Sequence, residues 1–244
     1  MKRYLITIQY LGKNYCGFQK QNGKPTIEQT IETALEKLLK VPTEIFASGR
    51  TDAGVNAIAQ TAHFDAETSI PASKFPFAIN QLLPDDIKVT KCKVVSKNFN
   101  ARFDVKKKTY QYRTYVSKVE LPILDETSYW LKQMPNIEKM KETANVLVGE
   151  HNFKAFMSAG GQSKTFEREI FDIKITKKGN QILFEVCGSG FLYNMVRIIV
   201  GTLLETGYGK KTPNDIKQAM ELQDRTKTGY LVPAKGLFLK KVCY

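Results

Sequence analysis

The strongest candidate for a catalytic group is an aspartate placed between two glycines. Residues 48–55 read Ser-Gly-Arg-Thr-Asp-Ala-Gly-Val, so Asp52 follows Gly49 by three residues and precedes Gly54 by two. Glycine adopts positive φ freely, so such a segment can turn sharply and let a ligand approach closely. Strand-like apolar runs on both sides predict a short loop on a rigid sheet, a common position for catalysis. The carboxylate suits a nucleophile or a base; the alternative is an Asp that only satisfies turn amides.

A second candidate feature is a strand in which cations alternate with aromatic residues. Residues 106–115 read Lys-Lys-Lys-Thr-Tyr-Gln-Tyr-Arg-Thr-Tyr. A period of two places one set of side chains on the same face: Lys106, Lys108, Tyr110, Tyr112 and Thr114. This pattern suits phosphate neutralisation combined with base stacking. The alternative, an aromatic residue in the core of a half-buried strand, is expected for Tyr112 or Tyr115.

Three arginines are candidates for functional residues. Arg197 lies in the apolar run Met195–Val200, where it needs a partner or a route to solvent. Arg50 precedes Asp52 by two residues and is expected to contact RNA phosphate or help displace a base, or else to satisfy loop carbonyls. Arg168, together with Lys164, is expected either to reach RNA or to form a solvated basic face.

Composition points to an anionic partner. The 244 residues include 37 Lys and Arg against 24 Asp and Glu, a formal net charge of +13. Nucleic acid is the first expectation and a membrane surface the second. The most apolar stretch, Phe191–Leu204, contains Asn194 and Arg197 and is too short to span a bilayer.

Cysteine and histidine usage predicts neither a disulfide framework nor a metal site. The four cysteines are scattered without a Cys-x-x-Cys pair, which fits a reducing cytoplasm. His63 and His151 lie far apart with no ligand-type spacing. The N-terminus leads into a strand and does not read as a signal peptide.

Periodicity predicts an α+β fold made of two similar halves. In the first half we expect strands at 3–10, 44–48, 57–65 and 87–95, with helices from Thr26, opened by a capping box with Gln29, and near 72–82. In the second half we expect strands at 105–116, 166–176, 181–187 and 237–242, with helices at 137–148, 191–206 and from Thr212. Residues 118–134 read as an irregular excursion.

Each half therefore reads β-α-β-β-α-β, the ferredoxin-like arrangement. Two such units would form a mixed, mainly antiparallel sheet with helices on one face and a central cleft. We expect a boundary after residue 103, giving an N-terminal subdomain 1–103 with the Asp52 loop and a C-terminal subdomain 104–244 with Tyr110 and Arg197.

The chain resembles the TruA family of tRNA pseudouridine synthases, whose signature reads Gly-Arg-Thr-Asp, a small residue, Gly and Val. Further blocks match in the same order at residues 10–12, 15–19, 100–103, 108–112, 191–201 and 236–239. The family usually has His where this chain has Asn56, and Gly is common where it has Ala59. Both departures lie close to the signature loop.

The resemblance implies an activity and roles for individual residues. It implies an isomerase that makes pseudouridine at positions 38 to 40 of the tRNA anticodon stem-loop, acting as a homodimer without cofactor or metal. Asp52 would be the nucleophile, paired with Arg197, and Tyr110 would stack on the target uracil. Leu237 would supply an apolar wall beneath the base.

Two other functions are compatible with the pattern. A non-catalytic RNA-binding module of the RRM type is one, although the RNP-like Gly-aromatic run expected of it is missing. A glycosidase that releases the base is the other, although a second acid would be expected near Asp52.

Overall fold

The computed structural model describes residues 1–244 and confirms a mixed α+β fold with mainly antiparallel strand pairing. The chain divides into two compact units. Unit 1 comprises residues 1–106 together with the C-terminal segment Phe238–Tyr244, and unit 2 comprises Lys107–Leu237. None of the helices is long and apolar enough to span a membrane.

Unit 1 is built on a sheet with the strand order β4-β1-β3-β10. Its strands are β1 (Lys2–Tyr10), β2 (Phe46–Ala47), β3 (Asn56–Ala66) and β4 (Ile87–Val95), and β10 (Leu237–Cys243) contributes its residues from 238 onwards. β1 pairs antiparallel with both β3 and β4, and β2 is a short antiparallel strand on β3.

The C-terminal strand lies with the first unit because it pairs parallel to β3, with Phe238 opposite Asn56 and Leu239 opposite Ala57. The subdomain boundaries predicted from the sequence place this segment in the second half, 104–244. Ladder hydrogen bonds between distant segments carry no local sequence signal, so composition and periodicity do not predict this partner.

Two helices, α1 (Ile27–Leu39) and α2 (Phe75–Ile79), complete unit 1. Thr26 caps α1 and accepts a hydrogen bond from the main-chain N–H of Gln29, as the capping-box spacing predicts. The predicted apolar face of α1 is buried through Ile27, Ile31, Ala34 and Leu35, while Leu38 is only half-buried. α2 is shorter than expected but buries Phe75, which stacks on Tyr4 and packs against Phe64.

Unit 2 has the strand order β5-β9-β8-β7, all paired antiparallel, with the short β6 parallel to β5. Its strands are β5 (Lys107–Val116), β6 (Tyr129–Leu131), β7 (Gly149–Asn152), β8 (Glu167–Lys178) and β9 (Gln181–Gly188). β8 and β9 form the hairpin predicted across Gly179, whose φ of +56° suits the tight turn.

The helices of unit 2 are α3 (Pro122–Asp125), α4 (Ile137–Leu147), α5 (Met195–Gly207) and α6 (Pro213–Glu221). α5 is buried along most of its length, and α6 begins with a complete capping box between Thr212 and Asp215. α3 and β6 lie in the stretch predicted to be irregular, and β7 is a further strand that the predicted order of the second half does not contain. They are too short for a periodicity of 3.6 or 2 to stand out from the sequence.

A buried histidine fixes the connection that leaves β4. His63 on β3 is 3% exposed, and its Nδ1 accepts a hydrogen bond from the main-chain N–H of Ala101. Its ring stacks on Phe46 and meets Phe99 edge-on. Burial lowers the pKa of His63, and the charge of Arg3 lowers it further.

This histidine predicts a pH dependence of stability. Because the folded-state pKa lies below the unfolded value of about 6.5, the unfolded chain binds more protons as the pH falls through that region. We expect the free energy of unfolding, measured with urea between about pH 5 and 7.5, to decrease below about pH 6.5. His63→Gln should flatten this part of the curve, and His151→Gln, which changes the other histidine, should retain it. A curve unchanged by His63→Gln would contradict the assignment.

Candidate active site

The loop that bears Asp52 is held in place by the residue beside it. Thr51 is buried, and its Oγ1 lies 2.7 Å from the hydroxyl oxygen of Tyr10, itself 2% exposed. The carbonyl of Thr51 accepts a hydrogen bond of 3.0 Å from the N–H of Phe18. Asp52 therefore follows a residue whose side chain and main chain are both tied to the N-terminal segment.

Two glycines of the N-terminal segment allow it to touch this loop. A Cβ on Gly12 would lie 2.2 Å from the carbonyl oxygen of Val55, and one on Gly17 would lie 2.9 Å from that of Thr51. Gly17 also has φ +99°, a region that favours glycine. The resemblance blocks at residues 10–12 and 15–19 thus form the support of the Asp52 loop, a function that the sequence analysis did not assign to them.

A reverse turn brings the chain from Asp52 into β3. The N–H of Val55 donates to the main-chain carbonyl of Asp52 over 3.1 Å, and Gly54 has φ +75°. The prediction of a turn glycine is confirmed at Gly54. The main chain of Asp52 therefore closes this turn.

The start of the loop rests on a buried amide. The Gln60 side chain accepts from the Ser48 hydroxyl over 2.6 Å and donates to the carbonyl of Gly49 over 2.8 Å. The main-chain N–H of Ser48 also donates to Thr61. Gly49 is not in the left-handed region, so it does not supply a turn through positive φ, and its carbonyl accepts the hydrogen bond from Gln60.

Asn56, where the family usually has His, is 2% exposed at the start of β3. Its Oδ1 accepts a hydrogen bond of 2.8 Å from the N–H of Gly12. Asn56, the residue that departs from the family pattern, therefore makes a structural contact that joins the N-terminal segment to the end of the loop. The loop contains two of the predicted site residues. The side chain of Asp52 is half-buried, and that of Arg50 is exposed.

Unit 2 contains the other four predicted site residues. Tyr110 on β5 is half-buried, and its ring meets Phe191 edge-on at a centroid distance of 5.1 Å. On the same face, Tyr112 is fully buried and donates its hydroxyl to the carbonyl of Pro233 over 2.7 Å. Tyr115 is also buried. The expectation that Tyr112 or Tyr115 belongs to the core is therefore confirmed.

The guanidinium of Arg197 is held by two hydrogen bonds. Its Nε donates to the carbonyl of Val232 over 2.7 Å, and one terminal nitrogen donates to Oδ1 of Asn194 over 2.9 Å. Asn194, at the N-terminus of α5, has φ +61°, and its amide donates to Ser158. Burial raises the pKa of Tyr112, and the charge of Arg197 opposes that rise. The two side chains therefore interact electrostatically.

Val232, whose carbonyl orients Arg197, follows a segment that packs closely against α5 through two glycines. A Cβ on Gly201 of α5 would lie 1.8 Å from the carbonyl oxygen of Tyr230, and one on Gly229 would lie 2.3 Å from the nitrogen of Thr202. The Thr202 hydroxyl accepts from the N–H of Gly229. This packing was not predicted from the sequence, although a glycine inside the helical pattern of α5 was a usable signal.

Arg168 and Leu237 lie elsewhere in unit 2. Arg168 on β8 donates to the carbonyl of Glu167 over 2.6 Å and to the Thr165 hydroxyl over 3.3 Å, and burial lowers its pKa. Leu237 is 5% exposed and follows Gly236, where a Cβ would meet the Tyr112 ring at 2.8 Å. Segment 232–237 thus lies against both Arg197 and Tyr112.

The structure brings the six predicted residues together in two sets. Unit 1 places Arg50 and Asp52 on one loop, and unit 2 contains Tyr110, Arg168, Arg197 and Leu237. No group of three or more His, Cys, Asp or Glu side chains has an arrangement that could hold a metal ion. The pairing of Asp52 with Arg197 stays a prediction.

A sequence model of the tRNA pseudouridine synthase family matches residues 6–104 and 143–244, which is most of the chain. The chain belongs to the tRNA pseudouridine synthase family. It is an isomerase whose class of reaction is the conversion of uridine to pseudouridine in tRNA.

Relatives match over the whole length. The chain is 41% identical over 245 residues to tRNA pseudouridine synthase A of Clostridium acetobutylicum, and 44% identical over 245 residues to tRNA pseudouridine synthase A 2 of Clostridium perfringens. Both matches cover 100% of each chain. Among solved structures, a chain of the archaeal box H/ACA sRNP Nop10-Cbf5 complex matches at 14% identity. The match covers 83% of this chain and 42% of the Nop10-Cbf5 chain. Its TM-score of 0.35 is too low to support a structural argument.

Proposed function

We propose that this protein converts uridine to pseudouridine at positions 38, 39 and 40 of the tRNA anticodon stem-loop. It acts without a cofactor, as a homodimer in the cytoplasm, with Asp52 as the nucleophile on a flipped-out uridine. The observation that carries the proposal is the construction of the Asp52 loop. Buried contacts from Tyr10, Gly12 and Phe18 fix the loop, while the Asp52 side chain is only half-buried.

The chemistry requires one carboxylate and a means of retaining the base. The N1–C1′ bond breaks and a C5–C1′ bond forms; C5 loses its proton and N1 gains one, so no oxidant or reductant is consumed. A glycosidase that releases its base needs a second carboxyl group to protonate the leaving group. A single carboxylate in the signature loop fits a reaction in which the base stays bound.

Arg197 is proposed to keep that carboxylate ionised. Burial beside a stacked base raises the pKa of an aspartate, whereas an adjacent guanidinium lowers it by about 1–3 units. The hydrogen bonds to Val232 and Asn194 fix the orientation of the Arg197 guanidinium, which suits such a role. Arg50, Arg168 and Leu237 are proposed to contact the RNA or the base.

Tyr110 is proposed to stack on the target uracil. Base–aromatic stacking contributes about 1–3 kcal/mol, which is comparable with the cost of unstacking one nucleotide. We therefore expect Tyr110→Ala to lower kcat/KM for tRNA by about 10- to 100-fold, and Tyr110→Phe, which retains the ring, to lower it less. Steady-state kinetics with unmodified tRNA measure both. Equal losses in the two variants would argue against stacking.

Modification of three neighbouring positions implies recognition of tRNA shape and backbone, with base identity checked only in the pocket. The net charge of +13 supports a binding mode dominated by phosphate contacts. Binding of this kind should weaken steeply as salt is raised.

The test uses tRNA labelled at the C5 hydrogen of uracil. The proposal expects label release without free uracil, with the new pseudouridines at positions 38 to 40. Release of free uracil would indicate a glycosidase, and tight binding without label release would indicate an RNA-binding module. Pseudouridine confined to other positions would contradict the assignment to the anticodon stem-loop.

A further inference from the structure

The turn at residues 100–104 presents two side chains that have no part in the proposed catalysis. Phe103 is 78% exposed, and the guanidinium carbon of Arg102 lies 5.7 Å from the centroid of its ring. A single exposed aromatic residue needs no explanation by itself. The surrounding structure makes this pair informative.

A closed set of hydrogen bonds fixes the main chain of the turn. Oδ1 of Asn100 accepts from the N–H of Arg102 over 2.9 Å and from that of Phe103 over 3.2 Å. The N–H of Asn100 donates to the carboxylate of Asp104 over 2.9 Å, and the N–H of Asp104 donates back to the carbonyl of Asn100 over 3.0 Å. Arg102 and Phe103 therefore project from a defined main-chain conformation.

The inner side of the turn is attached to the core of unit 1. Ala101 is fully buried, and its N–H donates to His63. Its carbonyl accepts from the hydroxyl of Tyr244 over 3.1 Å, and the Tyr244 ring packs edge-on against Phe99 at 4.8 Å. With this side fixed, little main-chain entropy remains to be lost when the exposed side binds a ligand.

The charge around the turn selects an anionic ligand. Residues 97–107 contain four exposed cations, namely Lys97, Arg102, Lys106 and Lys107. Their one carboxylate, Asp104, accepts the hydrogen bond from Asn100. A second copy of this strongly basic chain would bring like charges together here, whereas RNA would neutralise them.

We propose that the turn 100–104 is a nucleotide-contact site for tRNA, outside the Asp52 loop. The ring of Phe103 stacks on an unpaired base, and the guanidinium of Arg102 pairs with an adjacent phosphate. An aromatic face beside a cation is the usual means of holding a single-stranded nucleotide. The inference rests on tRNA as the substrate and is independent of which uridine is modified.

The test compares the affinity of the full-length variants for unmodified tRNA, measured by fluorescence anisotropy at several salt concentrations. We expect Phe103→Ala to raise the Kd by about 5- to 100-fold, and Phe103→Leu, which keeps apolar bulk without a π face, to raise it nearly as much. Arg102→Ala should raise the Kd and reduce the slope of log Kd against log salt by about one. Arg102 and Phe103 are both exposed and each replacement is smaller, so the Tm of all three variants should stay close to that of the wild type.

Phe77→Ala is the matched control, because Phe77 is 70% exposed and the Nζ of Lys74 lies 5.8 Å from its ring centroid. The proposal expects this variant to bind tRNA as the wild type does. A Kd unchanged by Phe103→Ala, or raised equally by Phe77→Ala, would overturn it. An unchanged Kd together with loss of the dimer in sedimentation would also overturn the proposal, because that result would assign the turn to contact with a second copy of the chain. Label mapping on tRNA tests the proposed positions separately from these affinities.

Discussion

Replacing Asp52 by asparagine is expected to reduce turnover by about 10⁴-fold or more, with little change in the affinity for tRNA. The amide has nearly the shape of the carboxylate but is neither a nucleophile nor a base. Tyr10 and Phe18 hold the loop at Thr51, so the substitution should leave its position intact. Release of the C5 label measures turnover, and anisotropy with the same tRNA measures the Kd.

Asp85→Asn is the matched control for this change. The Asp85 side chain is fully exposed, and its ion pair with Lys88 is long, with 3.6 Å between the carboxylate oxygen and Nζ. The same chemical replacement there should therefore leave turnover as it is in the wild type. If Asp52→Asn retained wild-type turnover, Asp52 would lose its proposed role. If it lost affinity and turnover together, the carboxylate would act in binding.

Gly12→Ala is expected to impair both stability and turnover, although Gly12 contributes no side chain to the site. The added Cβ would lie 2.2 Å from the carbonyl oxygen of Val55 and 2.8 Å from the carbonyl carbon of Gly54, both main-chain atoms that must move. Overpacking of this kind lowers the free energy of unfolding by about 1–3 kcal/mol. A displacement of about 1 Å at a catalytic group reduces turnover by about 100-fold. Urea unfolding and label release measure the two effects.

Gly23→Ala is the control that separates the effect of the close contact at Gly12 from the effect of replacing a glycine. Gly23 has φ +71°, but a Cβ there would meet nothing within 4 Å. We expect a modest loss of stability from main-chain strain and wild-type turnover of the folded protein. If Gly12→Ala were as active as Gly23→Ala, the N-terminal segment would not be what positions Asp52.

Local signals were sufficient for most of the secondary structure. The capping positions Thr26 and Thr212 begin α1 and α6 as predicted, and β4 has the predicted limits of 87–95. Such signals work because side-chain periodicity and orphan helix amides are properties of neighbouring residues. α3, β6 and β7 were missed because a segment of three or four residues is too short to show a period.

The sequence predicted which residues form the candidate site, but only part of the structure that holds them in place. Asp52, Arg50 and Gly54 follow from the local pattern, and the turn at Gly54 is present. The contacts of Gly12 with Val55 and of Gly201 with Tyr230 join residues that are far apart in the chain, and each is defined by a missing side chain. A glycine signals freedom of φ or a close approach, but the sequence does not state which segment approaches.

The sequence by itself determined the family, the reaction class, the carboxylate in its glycine-bounded loop, and the alternation of strands and helices. These features depend on residue identity and on spacing within a few turns or strand positions. Only the tertiary structure decided that the N-terminal segment supports the Asp52 loop, that Val232 orients Arg197, and that the C-terminal strand pairs with β3. The physical reason is that the partner of a main-chain hydrogen bond, or of a close approach at a glycine, lies far away in the chain, so no local pattern of residues specifies which segment it is.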